Sequence, residues 1–130
     1  MMSCVLRAGG PDFNVDAFLD ESPFEPCAVW HRGESRFRSQ PPSVDSGFNL
    51  DVGEGELREQ IAGAIQFLIV HEAEIRRLSG CTGIEIILDF AIARRNVIVQ
   101  SDSFPATLIH LAGSLKLGIE ITQYPVENSK

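Results

Sequence analysis

The sequence predicts a single α+β domain spanning residues 1–130. Apolar residues occupy every second position from Ile84 to Ile92, which is typical of a strand with one buried face. Between Glu54 and Leu78 the apolar residues recur at helical spacing, which predicts a long amphipathic helix. With 130 residues, 44% of them hydrophobic, the chain can bury a core without disulfides or a metal.

The first third of the chain predicts a strand, a short helix and a second strand. Cys4 to Ala8 is a short apolar run closed by two glycines and a proline, which indicates a strand followed by a turn. Asn14 has the character of an N-cap for a helix that ends near Asp20. Cys27 to Arg32 is the second predicted strand.

A long loop is predicted at residues 33–47. This segment holds four Ser, two Pro and two Gly, and a loop of this length inside a compact domain is usually functional or disordered. The alternating residues Phe48 to Val52 then predict the third strand, with one apolar face.

The second half of the chain predicts two helices and three strands. The long helix from Glu54 to Leu78 is followed by the alternating strand Ile84 to Ile92, and Val97 to Gln100 is predicted as a fifth strand. Ser103 can cap a helix that extends to Leu115, and Ile119 to Tyr124 is the last predicted strand.

The predicted order is therefore β-α-β-β-α-β-β-α-β. Its first six elements match the βαββαβ order of ferredoxin-like folds, here extended by a further βαβ. Because the strands alternate instead of forming continuous apolar runs, we expect one mostly antiparallel sheet of six strands with three helices on one face.

The pattern resembles a bacterial family of small α+β domains, domain-of-unknown-function family 4279. The resemblance spans nearly the whole chain, and it rests on the segments Cys4 to Arg7, Gly9-Gly10, Phe13 to Asp16, Pro26, Trp30, Gly33-Glu34 and Leu108 to Tyr124. The chain departs from the family in its long Ser/Pro loop and its extended central helix. The resemblance implies no reaction, cofactor or catalytic residue, and suggests an immunity-type or other partner-binding role.

Composition narrows the classes of partner and compartment. The chain has 18 Asp and Glu against 11 Lys and Arg, a net charge of −7, which argues against nucleic acid because phosphate binding needs a basic surface. No stretch approaches the roughly 20 apolar residues of a membrane helix. Three cysteines without CxxC spacing fit reduced thiols, so we expect a cytoplasmic protein.

No motif for catalysis or metal binding is complete. His71-Glu72 begins a zinc-helix pattern, but Ile75 stands where the second histidine would be needed. Glu85 and Asp89 share a predicted strand face but lie too far apart to share a proton. We expect no cofactor and no metal. These absences favour a non-enzymatic protein but leave enzymatic activity open.

The residues most suggestive of a site surround the only tryptophan. One interpretation places Trp30 in the core and His31 on the open sheet face or its edge. The other makes a recognition surface from residues of types that interfaces favour: Trp30, His31, Arg32, Arg36 and Arg38. Residues 32–38 carry a local charge of +2, between the acidic stretches 12–25 and 45–59.

Two functional hypotheses follow from the sequence. The first is a cytoplasmic binding or protein-interaction domain that recognises a protein partner or self-associates through an open sheet face or edge. The second is a small-molecule-binding or enzymatic domain with a pocket between the sheet and loop 33–47. Neither hypothesis involves nucleic acid or a membrane.

Overall fold

The computed structural model describes residues 2–35 and 37–125, which form five strands and four helices. No helix in this part of the chain is long and apolar enough to cross a membrane. The elements, in chain order, are β1 (Ser3–Gly10), α1 (Val15–Asp20), β2 (Ala28–Trp30), β3 (Ser46–Glu54), α2 (Leu57–Val70), α3 (Glu72–Ser79), β4 (Glu85–Ala93), α4 (Ala106–Ser114) and β5 (Gly118–Tyr124).

All five strands belong to one sheet with the order β2-β3-β1-β4-β5. The pairs β2–β3, β3–β1 and β1–β4 are antiparallel, whereas β5 lies parallel to β4. The sheet is therefore mixed, and the prediction of six strands and three helices is wrong in both numbers for the described residues. A parallel pair needs a crossover connection, and α4 provides it between β4 and β5.

One face of the sheet and all four helices share a single hydrophobic core. Alternate residues of the central strands, such as Leu6, Leu50 and Leu88, are buried in it. Their neighbours along the strands point to the opposite face, because side chains alternate in a strand. We call this opposite side the uncovered face; it carries Val5, Arg7, Asn49, Asp51, Asp89, Ala91, Glu120 and Thr122.

Residues 97–100 do not form the predicted fifth strand. The backbone there pairs with no strand, and Val97, Ile98 and Val99 are exposed. The Gln100 side chain instead accepts a hydrogen bond from Arg95 N at 2.7 Å and donates one to Ala93 O at 3.1 Å. These bonds fold the segment into a loop, and β5 takes the place beside β4.

The predicted single helix from Glu54 to Leu78 is two helices. The chain turns at His71, which ends α2 and begins α3. The His71 ring lies against Phe67, with 4.5 Å between ring centroids. Beyond the turn, Ile75 and Leu78 are both fully buried in the core.

A buried glutamine joins α2 to β4. Gln60 is fully buried, accepts a hydrogen bond from Ala91 N at 3.0 Å and donates one to Ala91 O at 2.9 Å. The pairing of β1 with β4 stops at Val5–Asp89, so the glutamine amide replaces a strand partner for Ala91. This contact satisfies backbone groups that would otherwise be buried without partners.

Candidate functional site

Trp30 is buried, but it lies on the uncovered face. It pairs with Gly47, which pairs in turn with Gly9, and a Cβ atom built on Gly47 would come within 2.6 Å of the indole. Glycine at position 47 therefore leaves room for the ring, whereas a Cβ on Gly9 would lie 3.7 Å from it, at ordinary contact distance. The indole Nε1 donates to Asp45 Oδ1 at 3.1 Å. The interpretation that placed Trp30 on the core side of the sheet is wrong about the face.

His31 lies on the other side of the strand, between two carboxylates. Its Nε2 is 3.0 Å from Asp16 Oδ1, and its Nδ1 is 3.1 Å from Glu34 Oε1. The hydrogen bond to Asp16 is the main cause that raises the pKa of His31, while partial desolvation opposes it and Glu34 adds to it. His31 thus fastens the start of the loop to α1.

The arginines of the predicted recognition surface do not converge on Trp30. Arg32 Nη1 donates to Pro11 O at 3.2 Å and lies 3.5 Å from Asp12 Oδ1. Arg38 is exposed in the loop, and Arg36 lies outside the described residues. Arg32 therefore holds the loop against the turn after β1, and the described members of the predicted set line none of the four cavities described below.

The loop after β2 is closed at its base and is shorter than predicted. Gly33 N donates to Ser43 O at 2.9 Å, and Ser43 N donates to Glu34 O at 2.8 Å. Ser46 and Gly47, assigned to the loop from sequence, belong to β3. Glycine at position 47 has weak strand propensity, but the packing of Trp30 requires it there.

A network of ionic and polar side chains crosses the middle of the uncovered face. Arg7 Nη1 lies 3.3 Å from Asp89 Oδ2, and Arg7 Nη2 lies 2.9 Å from Glu120 Oε1. Thr122 Oγ1 donates to Asp89 Oδ1 at 2.7 Å. These contacts tie β1, β4 and β5 together by side chains as well as by backbone. They give the centre of this face a fixed arrangement of charge.

The largest of the four cavities found in the described residues opens at one end of the uncovered face. We call it the strand-end groove; its volume is about 1060 Å³, and its lining includes Val5, Asp51, Ala91, Ala93, Arg94 and Tyr124. Val5 in its lining is four residues along β1 from Gly9, which lies beside Gly47 and Trp30. At 3.4 Å per residue, the groove is therefore about 14 Å from Trp30. None of the four cavities is lined by residues 33–47. The pocket predicted beside that loop is thus not among them.

The described residues form no metal site, and the buried thiol of Cys4 is unreactive. They contain no group of three or more His, Cys, Asp or Glu side chains arranged to hold a metal. Cys4 is buried under the helices, and burial, with smaller contributions from Asp89 and Asp51, raises the pKa of its thiol well above the ordinary value. A thiol held in this protonated form is a poor nucleophile.

Sequence reasoning missed the groove because its walls come from strands whose pairing is not visible in the sequence. Alternation alone puts Ala91 and Ala93 on the face opposite Phe90. Whether Val5 and Asp51 come close to these two alanines depends on the register of β1 between β3 and β4. One signal was available: small residues at 91 and 93 in an otherwise bulky strand leave space above the sheet.

The chain was compared with protein families, curated proteins and solved structures. A family model described as "Domain of unknown function (DUF4279)" matches residues 1–126. No curated protein and no solved structure matches the chain. Because the match covers almost the whole sequence, the chain belongs to the DUF4279 family.

Proposed function

We propose that this chain is a cytoplasmic protein-interaction domain that binds a partner on the uncovered face of its sheet. The observation that carries the proposal is the strand-end groove, which opens onto the face that no helix of the described chain covers. Grooves of this kind accept the anchoring side chains on which interface affinity depends. The Arg7 network beside the groove is fixed before binding, which lowers the entropic cost of association.

Charge on the uncovered face favours a basic partner. The described strands of this face carry Asp51, Glu85, Asp89 and Glu120 against Arg7, whereas Arg94 and Arg95 line the groove at its end. Two copies of this face would repel each other if they met directly, whereas a basic surface would be attracted and oriented. The favoured partner therefore presents an apolar anchor to the groove and Lys or Arg side chains to the carboxylates of the neighbouring strands. An immunity-type role is one form that such partner binding can take.

The test is a titration with a partner that has been identified and purified. Proteins retained by the wild-type chain are identified by mass spectrometry, and the purified candidate is titrated calorimetrically. Asp51→Lys reverses a charge at the groove, and Ala93→Trp fills it; each is expected to weaken binding at least tenfold, or about 1.4 kcal/mol. Asp20→Lys makes the same charge change on exposed α1 and is expected to leave affinity within about twofold.

Either of two results contradicts this proposal. The groove variants bind the purified partner as tightly as wild type, or Asp20→Lys weakens binding as much as Asp51→Lys does. The second result would mean that general charge attraction, not the uncovered face, carries the interaction. Circular dichroism spectra and melting temperatures of each variant verify that the fold is intact.

The size of the strand-end groove supports a second candidate function. A cavity of about 1060 Å³ is at the upper end of the range for small-molecule sites, and its lining combines apolar walls with the guanidinium of Arg94. The small-molecule hypothesis therefore moves from loop 33–47 to the other end of the sheet. In a metabolite thermal-shift screen, true ligands stabilise the wild type and His31→Ala but not Ala93→Trp. If the metabolites that stabilise the wild type stabilise Ala93→Trp equally, they do not bind in this groove and the second candidate function is excluded.

We also infer that the segment from β1 to β4 has the ferredoxin-like arrangement, with α2 and α3 in the place of its second helix. The order β2-β3-β1-β4 and its three antiparallel pairings support this inference. In that arrangement the two βα units bring their helices to the same side. The uncovered face is then a consequence of topology and does not depend on any single side chain.

A further inference from the structure

The core of the protein is incomplete at the edge formed by β5. Ile121 pairs with Phe90, which is fully buried, so both side chains lie on the helix side of the sheet. Yet Ile121 is 46% exposed, and Ile109 on the neighbouring helix α4 is 49% exposed. These two side chains therefore leave apolar surface on the helix side of the β5 edge open to solvent.

The β5 edge also lacks the features that usually prevent strand pairing. Exposed edge strands are generally short, interrupted by a bulge, or guarded by lysine or proline. β5 is seven residues long, contains no Lys or Pro, and pairs with β4 without a register shift. In the described chain it is the last strand of the sheet, so its outer N–H and C=O groups have no strand partner.

This part of the molecule is electrically neutral, although the whole chain is acidic. Residues 103–125 contain one Lys and one Glu, whereas the complete chain carries a net charge of −7. Glu120 is also paired with Arg7 at 2.9 Å. Like-charge repulsion between two copies is therefore smallest at this edge, in contrast to the acidic uncovered face.

We propose that two copies of this chain pair through their β5 edges and join their sheets into one. Identical strands related by a two-fold axis perpendicular to the sheet run antiparallel, so the pairing is isologous and closed. It places the helices of both copies on one side and covers Ile121 and Ile109. The uncovered faces then form one continuous surface, which makes the dimer bivalent toward a partner.

The size of the edge is sufficient for a weak, specific dimer. A seven-residue strand is about 24 Å long, and a helix layer on a sheet is about 20 Å thick. The contact is then roughly 500 Å² per copy, or about 1,000 Å² in total, the lower limit for a specific interface. We therefore expect reversible dimerisation with a dissociation constant in the micromolar range.

Sedimentation equilibrium on the full chain, from about 1 μM to about 1 mM, tests this proposal with a matched pair of variants. Ile121→Lys places a charge in the contact and is expected to raise the dimer dissociation constant at least tenfold. Its monomer still folds, because the lysine stem can extend to solvent. Val29→Lys changes a 41% exposed residue on β2, also on the helix side but at the opposite edge, and is expected to leave dimerisation unchanged.

Ile109→Lys, on the surface of α4, provides a second variant that does not alter the sheet. It is also expected to weaken the dimer, by about three- to tenfold, because it is exposed on the helix that packs against β5 and not in the strand contact itself. A wild type that stays monomeric throughout the concentration range overturns the proposal. So does a dimer that responds equally to Val29→Lys and Ile121→Lys. Neither result bears on binding at the strand-end groove, which is tested separately.

Discussion

The two edges of the sheet end in different ways, although each carries one half-exposed aliphatic residue on the helix side. At the β2 edge the strand is only three residues long, and its last residue, Trp30, packs over Gly47 on the uncovered face; we call an edge of this kind, short and tied down at its end, closed. At the β5 edge the strand has seven residues, and no described segment of the chain continues beyond it. The difference shows that an edge can be closed by local packing, and that β5 has no such closure.

The contacts at the β2 edge account for its closure. The Trp30 indole fills the space above Gly47 and Gly9 and donates to Asp45. His31 joins the next residue of the chain to α1 through Asp16. A short strand whose ends are tied in this way presents little backbone to another chain. The contrast with β5 leads to four predictions, from the largest expected effect to the smallest.

Trp30→Ala should have the largest effect on stability. Removing a buried indole leaves a cavity over the two glycines, and we expect the free energy of unfolding to fall by about 3 kcal/mol. Trp30→Phe, which keeps an aromatic ring but loses the bond to Asp45, should cost about 1 kcal/mol. Urea unfolding followed by circular dichroism measures both, because Trp30 is the only tryptophan. A cost below about 1 kcal/mol for Trp30→Ala would mean that the β2 edge is not closed by this side chain.

Gly47→Ala should be the next most damaging change. Its new Cβ would overlap the backbone carbonyl oxygen of Ala8 and lie 2.6 Å from the Trp30 indole, and relieving both overlaps should cost about 1–3 kcal/mol. Gly113→Ala is the matched control, since it lies in α4 near the other edge with no atom within 4 Å of the new Cβ. Alanine there should stabilise the protein by up to about 1 kcal/mol. Equal effects of the two substitutions in urea unfolding would remove the distinction between the edges.

Ile121→Ala should have a small effect on the monomer and a clear effect on its concentration dependence. A half-exposed isoleucine contributes about 1 kcal/mol to the monomer at low concentration. The melting temperature of the wild type should rise with protein concentration, because dimerisation stabilises the folded state. In Ile121→Ala this rise should be much reduced. Melting curves at two concentrations test the claim, and a rise of the same size in both proteins contradicts it.

The ion pairs of His31 should have the smallest effect on stability, and this effect should depend on pH. The pKa of His31 in the folded protein is raised, chiefly by Asp16, above the value of about 6.5 expected when unfolded. Its contribution to stability is therefore complete below about pH 6.5 and is lost as the pH rises through the raised pKa. Between about pH 5 and pH 9, the difference in melting temperature between wild type and His31→Ala should shrink as the pH increases. A difference that is constant or grows would show that the ion pairs do not hold the loop.

The strands with one buried face were predictable from the sequence, and those that depend on long-range pairing were not. In β4, alternate burial selects apolar residues at every second position, so the prediction of Ile84 to Ile92 is confirmed almost to the residue. Val97 to Gln100 has equal β propensity but remains a loop, because the Gln100 side chain satisfies nearby backbone groups and β5 occupies the place beside β4. The β propensity of a segment depends on its own residues, whereas its pairing depends on which other strands compete for the same place in the sheet.

The candidate site was harder to predict than the fold. The residues around Trp30 have the composition of an interface, but they are used to tie the loop and close the β2 edge. The groove instead is lined by small or common residues, such as Val5 and Ala93. They form a groove only because the register of β1 with β3 and β4 brings them together. Gln60 illustrates the same point, since its partner Ala91 lies 31 residues along the chain. Gly47 was the one local signal for the position of Trp30, since a Cβ there would overlap the indole.

Hydrogen–deuterium exchange of the wild-type chain at low and high concentration tests most directly whether β5 is an open edge made for pairing. The outward-pointing amides of Gly118–Tyr124 should exchange quickly in dilute solution and slow at least tenfold as concentration rises, because they become bonded to the second copy; the inward-pointing amides are already bonded to β4. Amides of Ala28–Trp30 should exchange at the same rate at both concentrations. Exchange at β5 that does not change with concentration, or protection that appears at β2 instead, would contradict the account.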